Sequence, residues 1–213
     1  MIVSHKHRFI FFAVPKTGTH AIREALRPHL HEDDWEQQVL FGQQALPIPE
    51  IARLRHGHIS VQQIRPHFDA DRWTGYFKFG FVRNPFDRFV SICFFLQRDN
   101  SDFAHSARRF MKLAINRQRF RQRVLALPQY RLLTDADARV GLDFVGRYES
   151  LQESYDKICA FLGIPSTPLP RKNPSKHKPW REYYDEELAA SVRDFYEMDL
   201  RLFGYDDLSG STK

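Results

Sequence analysis

The sequence predicts an α/β protein, a parallel sheet flanked by crossover helices, on three observations. Short apolar runs alternate with segments of helical period, the order that builds parallel sheets. The run Phe9 to Val14 shows no polar alternation, as expected of a strand covered on both faces. A second run, Tyr76 to Val82, also passes directly into a helical segment.

The first strand stops at Pro15 and opens into Lys16, Thr17, Gly18, Thr19 and His20. Ala21, Ile22, Ala25 and Leu26 follow at helical spacing, so a helix begins near Thr19 and ends before Pro28. The loop thus lies at the carboxyl edge of a strand, where open α/β sheets hold their ligands. It also feeds a helix start, whose unpaired N–H groups carry partial positive charge and seat anions. Gly18 permits close approach to the backbone, and Lys16 adds a mobile charge. An ordinary strand-to-helix turn with an exposed lysine reads the same way. The nucleoside-triphosphatase loop G-x-x-x-x-G-K-[ST] is excluded, because Lys16 precedes Gly18 and no glycine lies upstream. The dinucleotide fingerprint G-x-G-x-x-G is absent as well.

After the second strand, Asn84 is placed to cap a helix with Pro85 at its first position and a buried stripe of Phe86, Phe89, Val90, Cys93 and Phe94. Arg83 stands at the strand end. Ser91 follows Asn84 by about two turns on the same helical face. A guanidinium can grip a phosphate while a serine hydroxyl completes the seat. The competing reading pairs Arg83 with Asp87 and turns Ser91 to solvent. Two anion seats at one sheet edge imply a ligand with two separate phosphates. A third buried strand is read at Phe144, with Glu149 near its end.

With 213 residues, 42% hydrophobic and 14% aromatic, the chain can bury one good core. The expectation is a single domain over 1–213, with a helical basic segment at about 101–134 and a flexible tail at about 206–213. Cys93 and Cys159 sit in apolar contexts and read as buried thiols in a reducing compartment. No secretory core or membrane-length apolar stretch is present, so the expected location is cytoplasmic, without a membrane span. The formal net charge of +6 favours anionic ligands. It is concentrated in Phe103 to Thr134, which holds Arg108, Arg109, Lys112, Arg117, Arg119, Arg121, Arg123 and Arg131 and no acidic residue. A solvated helical face and a surface for an anionic partner both fit that stretch.

PKTGT at Pro15 to Thr19 resembles the phosphosulfate loop of the sulfotransferases that use 3′-phosphoadenosine 5′-phosphosulfate, PAPS. RNPFDRFVS at Arg83 to Ser91 resembles their 3′-phosphate signature. With HGHIS at His56, FVGRYESL at Phe144 and the KNPSKHKPWREYYDEE segment, the pattern is most similar to the carbohydrate-type branch, the uronyl 2-O-sulfotransferases and their bacterial relatives. The resemblance implies a three-layer, P-loop-like fold. It implies PAPS held by Lys16, Thr17, Gly18, Thr19, His20, Arg83 and Ser91, with Asn173, Ser175 and Lys176 on a loop closing over the nucleotide. His20 stands where the family usually places a second hydroxyl.

Sulfuryl transfer moves spread negative charge in line between two oxygens, so positioning and charge stabilisation suffice, with Lys16 suited to the leaving oxygen. No metal is expected, since no carboxylate cluster of ligand spacing accompanies the loop. Asp33 and Asp34 read instead as a polar turn or helix start. An acceptor hydroxyl must lose its proton, which calls for a base. His56 and His58 precede a capping box of Ser60 and Gln63, and the resemblance favours His58 over His56. The expected partner is an anionic or hydroxyl-bearing acceptor, a glycan rather than a nucleic acid. The rival readings are a nucleotide kinase, which would need magnesium ligands, and a non-enzymatic polyanion binder.

Overall fold

The computed structural model describes residues 1–38, 46–170 and 178–205. In chain order the elements are β1 Ile2–Ser4, β2 Phe9–Phe12, α1 Thr19–Leu26, β3 Trp35–Glu36, α2 Pro49–Ala52, α3 Val61–Ile64, α4 Ala70–Gly75 and β4 Phe77–Val82. Then come α5 Pro85–Leu96, α6 Phe103–Ile115, α7 Gln118–Arg121, α8 Tyr130–Leu133, β5 Phe144–Arg147, α9 Leu151–Leu162, α10 Glu186–Phe195 and α11 Glu197–Phe203. The chain divides into two compact units, one of Met1–Val82 with Tyr130–Lys172 and one of Arg83–Gln129 with Asn173–Lys213.

The first unit is built on a five-stranded sheet in the order β3-β1-β2-β4-β5. Strands β2, β4 and β5 run parallel, as the crossover pattern requires. The expected parallel sheet is present at the centre, and one edge departs from it, where β1 is antiparallel to both β2 and β3. The cause is the short link between Ser4 and Phe9, which are register partners and can be joined so tightly only as a hairpin. Asp34 braces this turn, accepting from Ser4 Oγ at 2.8 Å, His5 N at 2.6 Å and His31 N at 3.0 Å. The polar turn read at Asp33 and Asp34 is thus a staple for the hairpin.

Phe9 and Phe11 of β2 and Phe79 and Phe81 of β4 share one face. They pack with Ile22 and Leu26 of α1 and with Tyr155, Ile158 and Cys159 of α9. On the opposite face, a Cβ built on Gly80 would meet Leu142 at 3.1 Å and Leu133 of α8 at 3.3 Å. Cover on both sides explains why these strands carry no polar alternation. Lys78, the exception, buries its chain while its Nζ reaches Asp143 at 2.8 Å and the Tyr76 carbonyl at 2.7 Å.

The second unit has its own core, in which Phe86, Phe89, Val90 and Cys93 of α5 pack with Ala107 and Met111 of α6 and with Leu188 and Val192 of α10. Cys93 and Cys159 are free, buried thiols. Part of the basic segment serves this packing. Arg108 donates to the Tyr183 carbonyl at 3.0 Å, Lys112 pairs with Asp185 at 2.8 Å, and Arg121 donates to the Ile115 carbonyl at 2.7 Å while lying 4.8 Å from the Phe195 ring centre. Arg109, Arg117, Arg119 and Arg123 remain exposed. Among the described residues no helix is long and apolar enough to cross a membrane. The tail at 206–213 and the predicted contacts Asn173, Ser175 and Lys176 lie outside the described residues.

Candidate active site

The loop after β2 is shaped by three local devices. Thr17 is buried and turns its hydroxyl inward, donating to the Val14 carbonyl at 2.9 Å, which folds the loop back on the strand. Lys16 has φ of 66°, a left-handed conformation uncommon outside glycine and found disproportionately at functional sites. Gly18 has φ of 81° and precedes the first residue of α1. This conformation favours glycine, and a Cβ at Gly18, 2.6 Å from Leu151 Cδ2, would also oblige that side chain to move. No side chain caps this helix start, and the acidic residues that often occupy a first turn are absent. Lys16 and the first-turn N–H groups therefore present positive charge on the same short loop.

His58 belongs to this loop by a direct bond. Its Nδ1 lies 2.6 Å from the Ala13 carbonyl, three residues before Lys16. A carbonyl only accepts, so Nδ1 carries the hydrogen and Nε2 carries the lone pair. Burial pushes the His58 imidazole down to about 3, with the Ala13 bond opposing. At neutral pH the ring is thus uncharged and able to take a proton at Nε2, with less driving force than an imidazole of ordinary basicity would have. The His56 ring centre is 6.1 Å from that of His58, and burial also lowers its pKa. Among the described residues His56 Nδ1 is a buried atom without a hydrogen-bond partner.

The His56–His58 segment is strapped down by side chains that its own sequence does not reveal. Gln37 Nε2 donates to the His56 carbonyl at 2.9 Å, and Arg23 of α1 reaches the Gly57 carbonyl at 3.4 Å and the Gln37 carbonyl at 3.2 Å. Arg23 is buried and balanced by Glu36 at 3.0 Å, which also pairs with Arg27 at 3.0 Å. A Cβ on Gly57 would fall 2.0 Å from the Gln37 carbonyl oxygen, so this approach too demands glycine. Below His58, the predicted capping box is present, with Ser60 Oγ accepting from Gln63 N at 3.2 Å and Gln63 Oε1 accepting from Ser60 N at 2.9 Å. His20 is exposed on the first turn of α1, 3.4 Å from Gln38 Nε2. Its pKa is lowered by burial first and then by Arg23 and Lys16.

In the second unit, Asn84 Oδ1 accepts from Phe86 N at 3.0 Å and Pro85 opens α5, as the sequence predicts. Arg83 is buried and its Nε donates to Asp87 Oδ2 at 2.8 Å. The ion pair weighed against phosphate binding is therefore real, whereas Ser91, which that alternative turned to solvent, is buried. Asp87 and Ser91 lie four residues apart on α5 and so share a face, and Arg83, just before the helix, reaches that face through Asp87. Gln129, which has no signature in the sequence, holds the Arg83 backbone at both polar atoms. Glu149 falls in the 3₁₀ turn Tyr148–Ser150 directly after β5. Among the described residues, His31, Glu32 and Asp33 are exposed and bring three potential metal-ligand atoms within 4.8 Å, an arrangement common without an ion.

A profile of the sulfotransferase family matches residues 1–206. The chain belongs to this family and is a sulfotransferase enzyme. It is also 33% identical over 104 residues to an uncharacterized protein of Archaeoglobus fulgidus, an overlap of 48% of this chain and 80% of that one. No solved structure matches. Family membership implies, in general, PAPS as the sulfuryl donor and a hydroxyl-bearing acceptor.

Gly18→Ala tests the loop. The strained φ and the contact with Leu151 together should lower unfolding free energy by about 1–3 kcal/mol in a denaturant titration. An unchanged midpoint would show that the loop tolerates a side chain there.

Proposed function

We propose that this sulfotransferase moves the sulfuryl group of PAPS to a carbohydrate hydroxyl by in-line displacement, with His58 as base and without a metal ion. The observation that carries the reading is the bond from His58 Nδ1 to the carbonyl of Ala13, on the strand that feeds the Lys16 loop. It supports an imidazole with Nε2 available as the acceptor atom beside a loop suited to an anion.

The loop fits a phosphosulfate on its own features, a helix start without a side-chain cap and a lysine three residues before it. In this reading the N–H groups of Thr19 and His20 and the Lys16 ammonium hold the 5′ end of the donor, with Thr17 and Gly18 shaping the loop. Arg83 and Ser91 hold the 3′-phosphate. When bound, PAPS supplies the sulfuryl group and a bisphosphate leaving group. The acceptor oxygen forms a bond to sulfur as the bond from sulfur to the phosphate oxygen breaks. Lys16 offsets charge on the departing oxygen, and His58 Nε2 takes the hydroxyl proton. Asn173, Ser175 and Lys176 remain part of the proposal as nucleotide contacts. The P-loop-like fold, the single-domain organisation and the cytoplasmic location also stand as proposals. The acceptor is proposed to be an anionic glycan, with exposed Arg109, Arg117, Arg119 and Arg123 as its recognising charges.

The deciding experiment is turnover with PAPS and a panel of sulfated and uronic-acid glycans in excess chelator. Transfer is expected to persist, and loss restored by magnesium would overturn the metal-free part of the reading. His58→Ala should lower kcat by about 10²–10⁴-fold and leave bisphosphate affinity intact. Because the imidazole stays neutral down to about 3, kcat should hold through pH 6.5 and fall only in stronger acid. Wild-type activity in His58→Ala would remove His58 from the role, whereas an acid limb centred near 6.5 that is lost in His58→Ala would contradict the lowered pKa and keep His58 as base. For the acceptor, replacing Arg117, Arg119 and Arg123 together by glutamate should raise KM for an anionic glycan while sparing bisphosphate affinity. An unchanged KM would make these arginines a solvated face.

A further inference from the structure

Gln129 is fully buried, and its side chain is spent on one residue. Its Oε1 accepts from Arg83 N at 2.9 Å and its Nε2 donates to the Arg83 carbonyl at 2.9 Å. The amide thus imitates a neighbouring strand at the point where the chain has left β4 and has not entered α5. Buried backbone groups in such a gap need partners from elsewhere. Gln129 is itself held, because its backbone N–H donates to Asp199 Oδ2 at 2.8 Å and Asp199 is fully buried in α11. The other end of Arg83 is held by Asp87, which accepts from Nε at 2.8 Å. The guanidinium is therefore oriented from its backbone as well as from its tip, by residues 46 and 4 positions away.

We propose that Gln129 is a positioning residue for recognition of the donor's 3′-phosphate, acting through Arg83. The inference rests on the reading that Arg83 meets that phosphate. A buried amide used only to fill space would affect every ligand alike. An amide that aims Arg83 affects the 3′-phosphate selectively, because the 5′ end of the nucleotide is assigned to the Lys16 loop.

Titration calorimetry with adenosine 3′,5′-bisphosphate and with AMP, on wild type and Gln129→Met, separates these cases. Methionine keeps the volume and removes both hydrogen bonds. Gln129→Glu, which keeps an acceptor for Arg83 N, serves as the second variant should methionine fail to fold, and thermal melts check each protein. The expected result is a wild-type preference for the bisphosphate over AMP that shrinks by about ten-fold in the variant, with AMP affinity unchanged. Equal weakening of both nucleotides, or a preference that survives, overturns the role of Gln129 alone. Equal affinities already in wild type overturn the donor reading, and the proposal with it.

Discussion

The turn at Gly18 is the constraint on which the first unit's site depends. A strand must hand over to a helix within a few residues, and the helix start must face the sheet edge without a side chain over it. Only a residue tolerant of φ near 81° can do this, and a Cβ there would also displace the Leu151 side chain. The inward hydroxyl of Thr17 and the left-handed Lys16 follow from the same tight path. Because the positive end of the helix is built into the fold, an anion arriving there meets dipoles already aligned, which is the economical form of electrostatic stabilisation.

Charge near this loop is balanced rather than merely abundant. Arg23 is buried beside Glu36, and the pair supports the Gly57 and Gln37 carbonyls instead of competing for a ligand. In the second unit Asp87 plays a comparable part for Arg83. Breaking a buried pair by removing one partner is strongly destabilising, so Arg83 and Asp87 act as one fixed unit. The same fold that orients a cation also limits how far it can move.

Residues acting over short sequence distances were legible. The continuous apolar runs of β2 and β4, the Asn84–Pro85 helix start and the Ser60–Gln63 box all follow from local spacing and cap chemistry. Strands β1 and β3 were not, since three and two residues are too few to show a period. Long-range bonds leave no sequence signature either. His58 meets Ala13 across 45 positions and Gln129 meets Arg83 across 46, so family resemblance could nominate His58 while nothing nominated Gln129. Composition also counted Arg121 with the solvent-facing charges, although its stem packs on Phe195 and its head is used by the Ile115 carbonyl.

The proposed donor carries two phosphates, one assigned to the Lys16 loop and one to Arg83. Thermal unfolding in chelator, with adenosine 3′,5′-bisphosphate or with ATP at equal concentration, tests this assignment most directly. A ligand that binds only the folded state raises Tm according to its affinity. The bisphosphate should raise Tm by several degrees at concentrations where ATP leaves it nearly unchanged. An equal rise with ATP, or no rise with the bisphosphate, would contradict the claim.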